Sequence, residues 1–194
     1  IFLGDIGYQV KPFKNDGLYT KELALKEFDR IITLTKNYRF KDPKQNAICE
    51  KIRFLMDNER HKVMDYAIAQ YGKVKFDNIK KDIRVTDMIL SSTHKRKDIM
   101  TNKLKDILPP KYIMTKNYDS NHCNGMILYD KPKIPASNYE IRYAYTIHSI
   151  QGETLEDDAN LYIDIRNLWD ENVLYTAISR ARTQKQVKFI CFDS

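Results

Sequence analysis

Residues 140–192 read EIRYAYTIHSIQGETLEDDANLYIDIRNLWDENVLYTAISRARTQKQVKFICF, and the order of their apolar runs decides the fold class. Residues 140–147 and 160–165 are rich in β-branched and aromatic side chains, which predicts two strands. Over residues 170–181, Val173, Leu174, Ala177, Ile178 and Ala181 recur at helical spacing and predict a helix with one buried face. Residues 187–192 return to a strand. Strands and a helix alternating in this way belong to an α/β domain, with a mainly parallel sheet flanked by helices.

The same rhythm continues upstream. Residues 1–3 read as the end of a strand stopped by Gly4-Asp5, and residues 30–35 (RIITLT) as a second strand. Pro43 then opens a helix whose apolar positions Ile48, Ile52, Leu55 and Met56 share one face. A further helix from Glu59 carries Val63, Met64, Ala67, Ile68 and Tyr71 and stops at Gly72. Residues 85–92 predict a strand, and Ile99, Met100, Leu104 and Ile107 a helix ending before Pro109-Pro110. Residues 111–139 break the pattern: short strands at 111–115 and 126–129 flank the turn pair Asn124-Gly125, with Pro132 and Pro135 after it. This is the signature of a small β insertion.

With 194 residues, 42% apolar and 30% charged, the chain has the make-up of one ordinary globular domain rather than a disordered or coiled-coil segment. Cys49, Cys123 and Cys191 show no C-x-x-C spacing, which argues against a disulfide framework or a zinc module. His122-Cys123 has no second pair at ligand spacing, so no metal is expected. No apolar run approaches the ~18 residues of a membrane span, and no membrane partner is expected. The chain starts at Ile1, inside what reads as a strand, as a piece of a longer protein would. The net charge of +7 is uneven: residues 91–118 hold 7 basic and 2 acidic side chains, whereas residues 119–194 hold 8 and 11. Such density suggests a polyanion nearby. Usage rich in Lys, Asn, Ile and Tyr also suits a large DNA virus or another AT-rich genome.

Two segments are more specific. Thr146-Ile-His-Ser-Ile-Gln-Gly-Glu-Thr154 ends a strand, and Leu174-Tyr-Thr-Ala-Ile-Ser-Arg-Ala-Arg182 closes a helix. Together they resemble the fifth and sixth motifs of superfamily 1 helicases, most closely the RecD-like branch, whose fifth motif reads T-x-H-x-x-Q-G. Leu34-Thr-Lys-Asn-Tyr-Arg39 is similar to the fourth motif, and Leu3-Gly-Asp-Ile-Gly-Tyr-Gln9 to the third, with one extra residue between Asp5 and Gln9. The strand-helix unit 88–108, with Asn102, resembles the unit between the fourth and fifth motifs. The insertion resembles a reduced SH3-like insertion of that branch. The resemblance implies the end of a first RecA-like domain and linker over residues 1–20. It implies a second RecA-like domain over 21–110 and 140–194, interrupted by the insertion at 111–139.

Site residues follow from the resemblance. Arg39 and Arg180 would be arginine fingers, suited by permanent charge and a planar fork of donors. Asp5 and Gln9 would sense the γ-phosphate or its attacking water. Tyr38 would stack near the base, while Gly152, Glu153 and Arg182 would meet the nucleotide. Thr146, His148 and Ser149, with Ser92, Thr93, His94 and Lys95, would bind phosphates of a single strand without reading sequence. No G-x-x-x-x-G-K-[ST] loop occurs in the sequence, so a preceding first RecA-like domain is expected to hold ATP with Mg2+. This segment by itself is not expected to hydrolyse ATP. The implied partners are single-stranded DNA, the first RecA-like domain of the same chain, and replication or primase components. The implied location is intracellular, at DNA replication or repair, in the nucleus or, for a viral protein, a cytoplasmic factory. An RNA helicase of the same superfamily and a non-catalytic nucleic-acid-binding module are the alternative readings.

Overall fold

The computed structural model describes Tyr8, Lys26, residues 37–150, residues 154–166, Leu168 and residues 170–191. The strands expected at 1–3 and 30–35 lie outside the described residues. Helix α1 spans Pro43–Asn58, with Pro43 at its first turn and the Asp42 carboxylate accepting from the Lys44 N–H at 2.9 Å. Its expected face, Ile48, Ile52, Leu55 and Met56, is buried. A single 3-10 turn, Arg60–Lys62, leads into α2, Val63–Tyr71. Gly72 ends α2 at φ +70°, a conformation a side chain would strain, and its N–H donates to Ile68 O at 2.8 Å.

Strand β1 (Lys73–Lys75) and the one-turn helix α3 (Phe76–Ile79) follow; neither is long enough to show a period in the sequence. Then come β2 (Met88–Ser91) and α4 (His94–Leu104), the latter capped by Thr93, whose side chain accepts from Arg96 N–H. The insertion contributes β3 (Lys111–Met114), β4 (Ile127–Leu128) and β5 (Tyr139–Arg142). The chain finishes with β6 (Tyr145–Thr146), a 3-10 turn at Ile147–Ile150, β7 (Leu161–Asp164), α5 (Glu171–Ile178) and β8 (Val187–Cys191).

Among the described residues the main sheet runs β1-β8-β7-β2-β6, parallel throughout, and a second, antiparallel sheet runs β4-β3-β5. Strand side chains alternate between two cores. Leu90, Leu161, Ile163 and Phe189 join the core under α1, α2 and α5, whereas Ile89, Tyr162 and Ile190 join the one with Phe76, Met100 and Leu104 from α3 and α4. The expected α/β class, with a mainly parallel sheet covered by helices on both faces, is therefore present.

Three expectations change. Residues 140–147 form two strands, not one: β5 belongs to the insertion and β6 to the main sheet, with Tyr143-Ala144 between them. Residues 85–87 stay out of β2 because the buried Asp87 carboxylate binds the N–H groups of Arg84 and Asn160, at 2.9 and 2.8 Å. Helix α4 ends at Leu104, which leaves Ile107 39% exposed rather than on its buried face.

The insertion is fastened by a buried lysine. Lys111 on β3 donates to Asp87 O at 2.6 Å, just before β2. Burial pushes its pKa down to about 8, with the Asp87 charge pulling the other way. Because the charged form is disfavoured in the fold, stability should rise with pH from about 8 towards the unfolded value of 10.5. Urea denaturation across that range should show the rise, and Lys111→Met should flatten it and be more stable at pH 7. For Asp42, the N–H groups of Gln184 and Lys44 hold the carboxyl below the usual carboxylate range. Asp42→Ala is expected to cost about 1–2 kcal/mol by the same assay. That contribution is complete above the unfolded carboxylate pKa and disappears as pH falls through the lowered folded value.

Candidate nucleotide and nucleic-acid interfaces

The end of α5 gathers the arginines. Its last carbonyls lack helical partners, as at every helix terminus, and attract donors and positive charge. Arg180 turns back on it: Nε donates to Thr176 O at 3.0 Å and Nη2 to Ser179 Oγ at 3.0 Å, leaving the residue 1% exposed. Arg39 arrives from the segment before α1 and donates from Nη1 to Ser179 O at 3.2 Å. Ser179 thus stands between the two guanidinium groups expected to act together.

Arg182 is half-buried and donates to Asp157 Oδ1 at 3.0 Å; Lys41 Nζ meets the other oxygen of the same carboxylate at 2.5 Å. The hydrogen bond and charge of Lys41, with Arg182 adding its charge, hold the Asp157 carboxyl below the usual range. Lys41 N–H also donates to Arg182 O at 3.0 Å. Tyr38 is 80% exposed beside them in sequence, and a concavity of about 300 Å³ lined by Asn37, Phe40, Pro43 and Asn46 opens at the start of α1. Asp5, Gln9, Gly152 and Glu153 lie outside the described residues.

The second set of expected residues lies at the other edge of the sheet. Arg180 O accepts from Leu155 N–H, in the connection that enters β7, whereas the carboxyl ends of β2, β6 and β7 point the opposite way. A four-residue strand separates the two edges by roughly 10 Å. Ligands of open parallel sheets bind at carboxyl ends, and the two expected stretches, 92–95 and 146–149, converge there. After β2, Ser92 Oγ makes a long contact of 3.5 Å to Arg166 O, beyond β7, and Thr93 caps α4. His94 and Lys95 are exposed on the first turn of α4. After β6, Ser149 is exposed and donates to Thr146 O at 2.8 Å, while the Thr146 side chain is buried. Burial lowers the pKa of the half-buried His148; Asp170 opposes the shift and His94 adds to it.

Of the basic run 94–97, Arg96 points inward: it is 6% exposed and its Nε donates to Asp164 Oδ2 at 2.7 Å. Burial raises the Asp164 pKa, against the hydrogen bonds from Arg166 N–H and the Arg96 side chain. Two amides escaped the sequence reading. Gln45, fully buried, donates to Ile178 O at 3.0 Å and accepts from Tyr71 OH at 2.9 Å, joining three helices. Gln186 accepts from the N–H groups of Arg182 and Thr183 and donates to Glu156 O, Asp157 O and Ala159 O. Nothing in their sequence context separates them from surface glutamines. Among the described residues no group of three or more His, Cys, Asp or Glu could hold a metal ion, and no helix is long and apolar enough to cross a membrane.

No known family profile matches the chain. A stretch of 57 residues is 40% identical to uncharacterized protein 030L of Invertebrate iridescent virus 6, covering 28% of this chain and 10% of that protein. In structure the chain is similar to the Pif1 helicase from Candida albicans, with TM-score 0.66 and 13% identity over 97% of this chain and 63% of that one. It is similar also to Bacteroides Pif1 bound to ssDNA, with TM-score 0.57 and 17% identity over 96% and 61%. A third is the Bacteroides Pif1 helicase in complex with ADP-AlF3 and ssDNA, with TM-score 0.51 and 18% identity over 96% and 60%. The chain thus spans about three-fifths of these helicases' length and a tenth of the viral relative's. At such identities the likeness is one of fold: a mainly parallel sheet flanked by helices, as in RecA-like domains.

The Arg96–Asp164 pair supports the carboxyl edge from inside. Asp164→Ala strands a buried guanidinium and is expected to cost about 3–5 kcal/mol in chemical denaturation, whereas replacing both residues by apolar ones of similar volume should cost far less.

Proposed function

We propose that this chain is the second RecA-like motor domain of an ATP-dependent DNA helicase of superfamily 1, from the RecD-like branch. Arg39 and Arg180 act as arginine fingers on ATP held, with Mg2+, by an opposing Walker-containing domain. Arg182, Tyr38, Gly152 and Glu153 meet the rest of the nucleotide, and Asp5 and Gln9 sense its γ-phosphate. Ser92, Thr93, His94, Lys95, Thr146, His148 and Ser149 grip the phosphates of single-stranded DNA at the carboxyl edge, in DNA replication or repair. The observation that carries this reading is the meeting of Arg39 and Arg180 on Ser179, from positions far apart in the chain. Fold likeness to a Pif1 helicase whose structure contains ADP-AlF3 and ssDNA supports it.

The chemistry follows from charge. Hydrolysis spreads negative charge over the γ-phosphoryl oxygens, and donors poised at that point lower the barrier. In this structure Arg180 is stowed, its donors on Thr176 O and Ser179 Oγ. Hydrogen bonds to a charged group contribute about 1.5–3 kcal/mol each. Engaging phosphate oxygens therefore exchanges such bonds rather than adding to them, and the finger engages only when nucleotide is across the interface. Arg39 is held in the same place by a bond from Nη1 to the Ser179 carbonyl.

In the intact protein, Arg39→Ala and Arg180→Lys should each lower ATP turnover by about 10³-fold or more, with nucleotide binding changed only a few-fold. Normal turnover in Arg180→Lys and Arg180→Ala would overturn the assignment. Lys95→Ala should weaken single-strand binding equally across sequences and reduce the slope of log affinity against log salt by about 1. Deoxyribose strands should bind more tightly than ribose strands of the same sequence. Since burial holds His148 neutral below the usual histidine range, DNA affinity should rise as pH falls through its lowered pKa, and His148→Gln should remove that rise.

A further inference from the structure

An arginine packs over a pair of contacting tyrosines, Tyr8 and Tyr175, beside α1 and α5. The Arg53 guanidinium on α1 is 5.0 Å from the Tyr8 ring centroid and 5.2 Å from that of Tyr175 on α5. The rings are 6.1 Å apart and tilted by 58°. Arg53 Nε also donates to Tyr175 OH at 2.7 Å, and Tyr8 OH donates to Asp57 Oδ2 at 2.5 Å, one helical turn further along α1. A cation lying against two ring faces is attracted to both, more strongly where water is partly excluded. Tyr175 O in turn accepts from Ser179 N–H at 3.0 Å, and Ser179 is the residue on which Arg39 and Arg180 meet. Tyr8 directly precedes Gln9 in the sequence.

We propose that Tyr8, Arg53 and Tyr175 form a coupling joint that passes the position of Tyr8, the neighbour of Gln9 in the sequence, to the end of α5, making Arg53 and Tyr175 positioning residues for the two arginine fingers. This inference rests on the helicase reading above, which supplies Gln9 with a nucleotide to sense and the arginines with one to act on. A discrete contact is needed for such coupling, because packed elements shift between arrangements and do not deform continuously. The joint supplies one. Tyr8 touches Tyr175 directly, and α1 binds both tyrosine hydroxyls and is itself tied to α5 by Gln45, so a displacement of Tyr8 reaches α5 by ring contact and through a stiff element.

The test measures kcat and KM for ATP, with saturating single-stranded DNA, in the intact protein, together with the thermal midpoint. Arg53→Met and Tyr8→Leu should each lower kcat by about 5–10-fold, with KM within about 2-fold. The double variant should lose no more than the worse single one, the non-additivity expected of residues in one joint. Arg53→Lys, which keeps a cation against the ring pair, should recover most of kcat. Should Arg53→Met fail to fold, Tyr8→Phe and Tyr175→Phe keep both rings and remove only the hydroxyls, and the same non-additivity is expected on a scale of about 3-fold. Unchanged kcat, or losses that multiply in the double variants, would overturn the joint. Full turnover in Arg180→Ala would instead overturn the functional reading, whereas an inactive Arg180→Ala beside a fully active Arg53→Met would overturn the joint alone.

Discussion

The carbonyl groups left over at the end of α5 organise much of this molecule. A helix terminus has to find donors for its last carbonyls, and here they come from several other segments. Ile178 O takes the Gln45 amide, Ser179 O takes Arg39, and Thr176 O takes Arg180. Just beyond, Arg180 O takes the N–H of Leu155 and Arg182 O that of Lys41. The partial negative charge of the helix end makes cations the favoured donors. Basic side chains of the proposed nucleotide face are therefore gathered by a requirement of the fold itself. The Gln186 amide, bound to the backbone on both sides of the same corner, keeps the connection into β7 from drifting away from them.

Strand β7 is the link between the two edges. Asp157 precedes it and holds Lys41 and Arg182; Asp164 ends it and holds Arg96. The two carboxylates are not equivalent. Asp157 is exposed, so its pairs contribute little to stability and can be exchanged for other partners. Asp164 is fully buried, and removing its partner would leave an uncompensated site under the carboxyl edge. One edge is thus electrostatically adjustable, and the other is braced.

Period and punctuation made most elements legible in the sequence. Pro43, Gly72 and the Asn124-Gly125 pair each mark the boundary they were read to mark, because each acts through its own backbone. The failures arise where distant residues decide. β1 and α3 are too short to show a period, and β1 exists because it pairs with β8. The division of residues 139–146 between two sheets depends on which neighbours each half finds, Lys111–Met114 or β2, and no local preference encodes that. In the candidate site, residue types and motif order brought out Arg39 and Arg180, but their meeting on Ser179 is a property of packing. The burial of Arg96 within a run of basic residues is another, since only the position of Asp164 turns it inward.

Tyr143 and Ala144 alone separate β5 of the small sheet from β6 of the main one. Two residues leave almost no slack, and on the other flank Lys111 fastens β3 to the residue before β2. The insertion is therefore mounted as a crank rather than as a tethered ball. A load applied to its outer loops would be delivered as torque to Thr146 and the turn carrying His148, without first being absorbed in a linker.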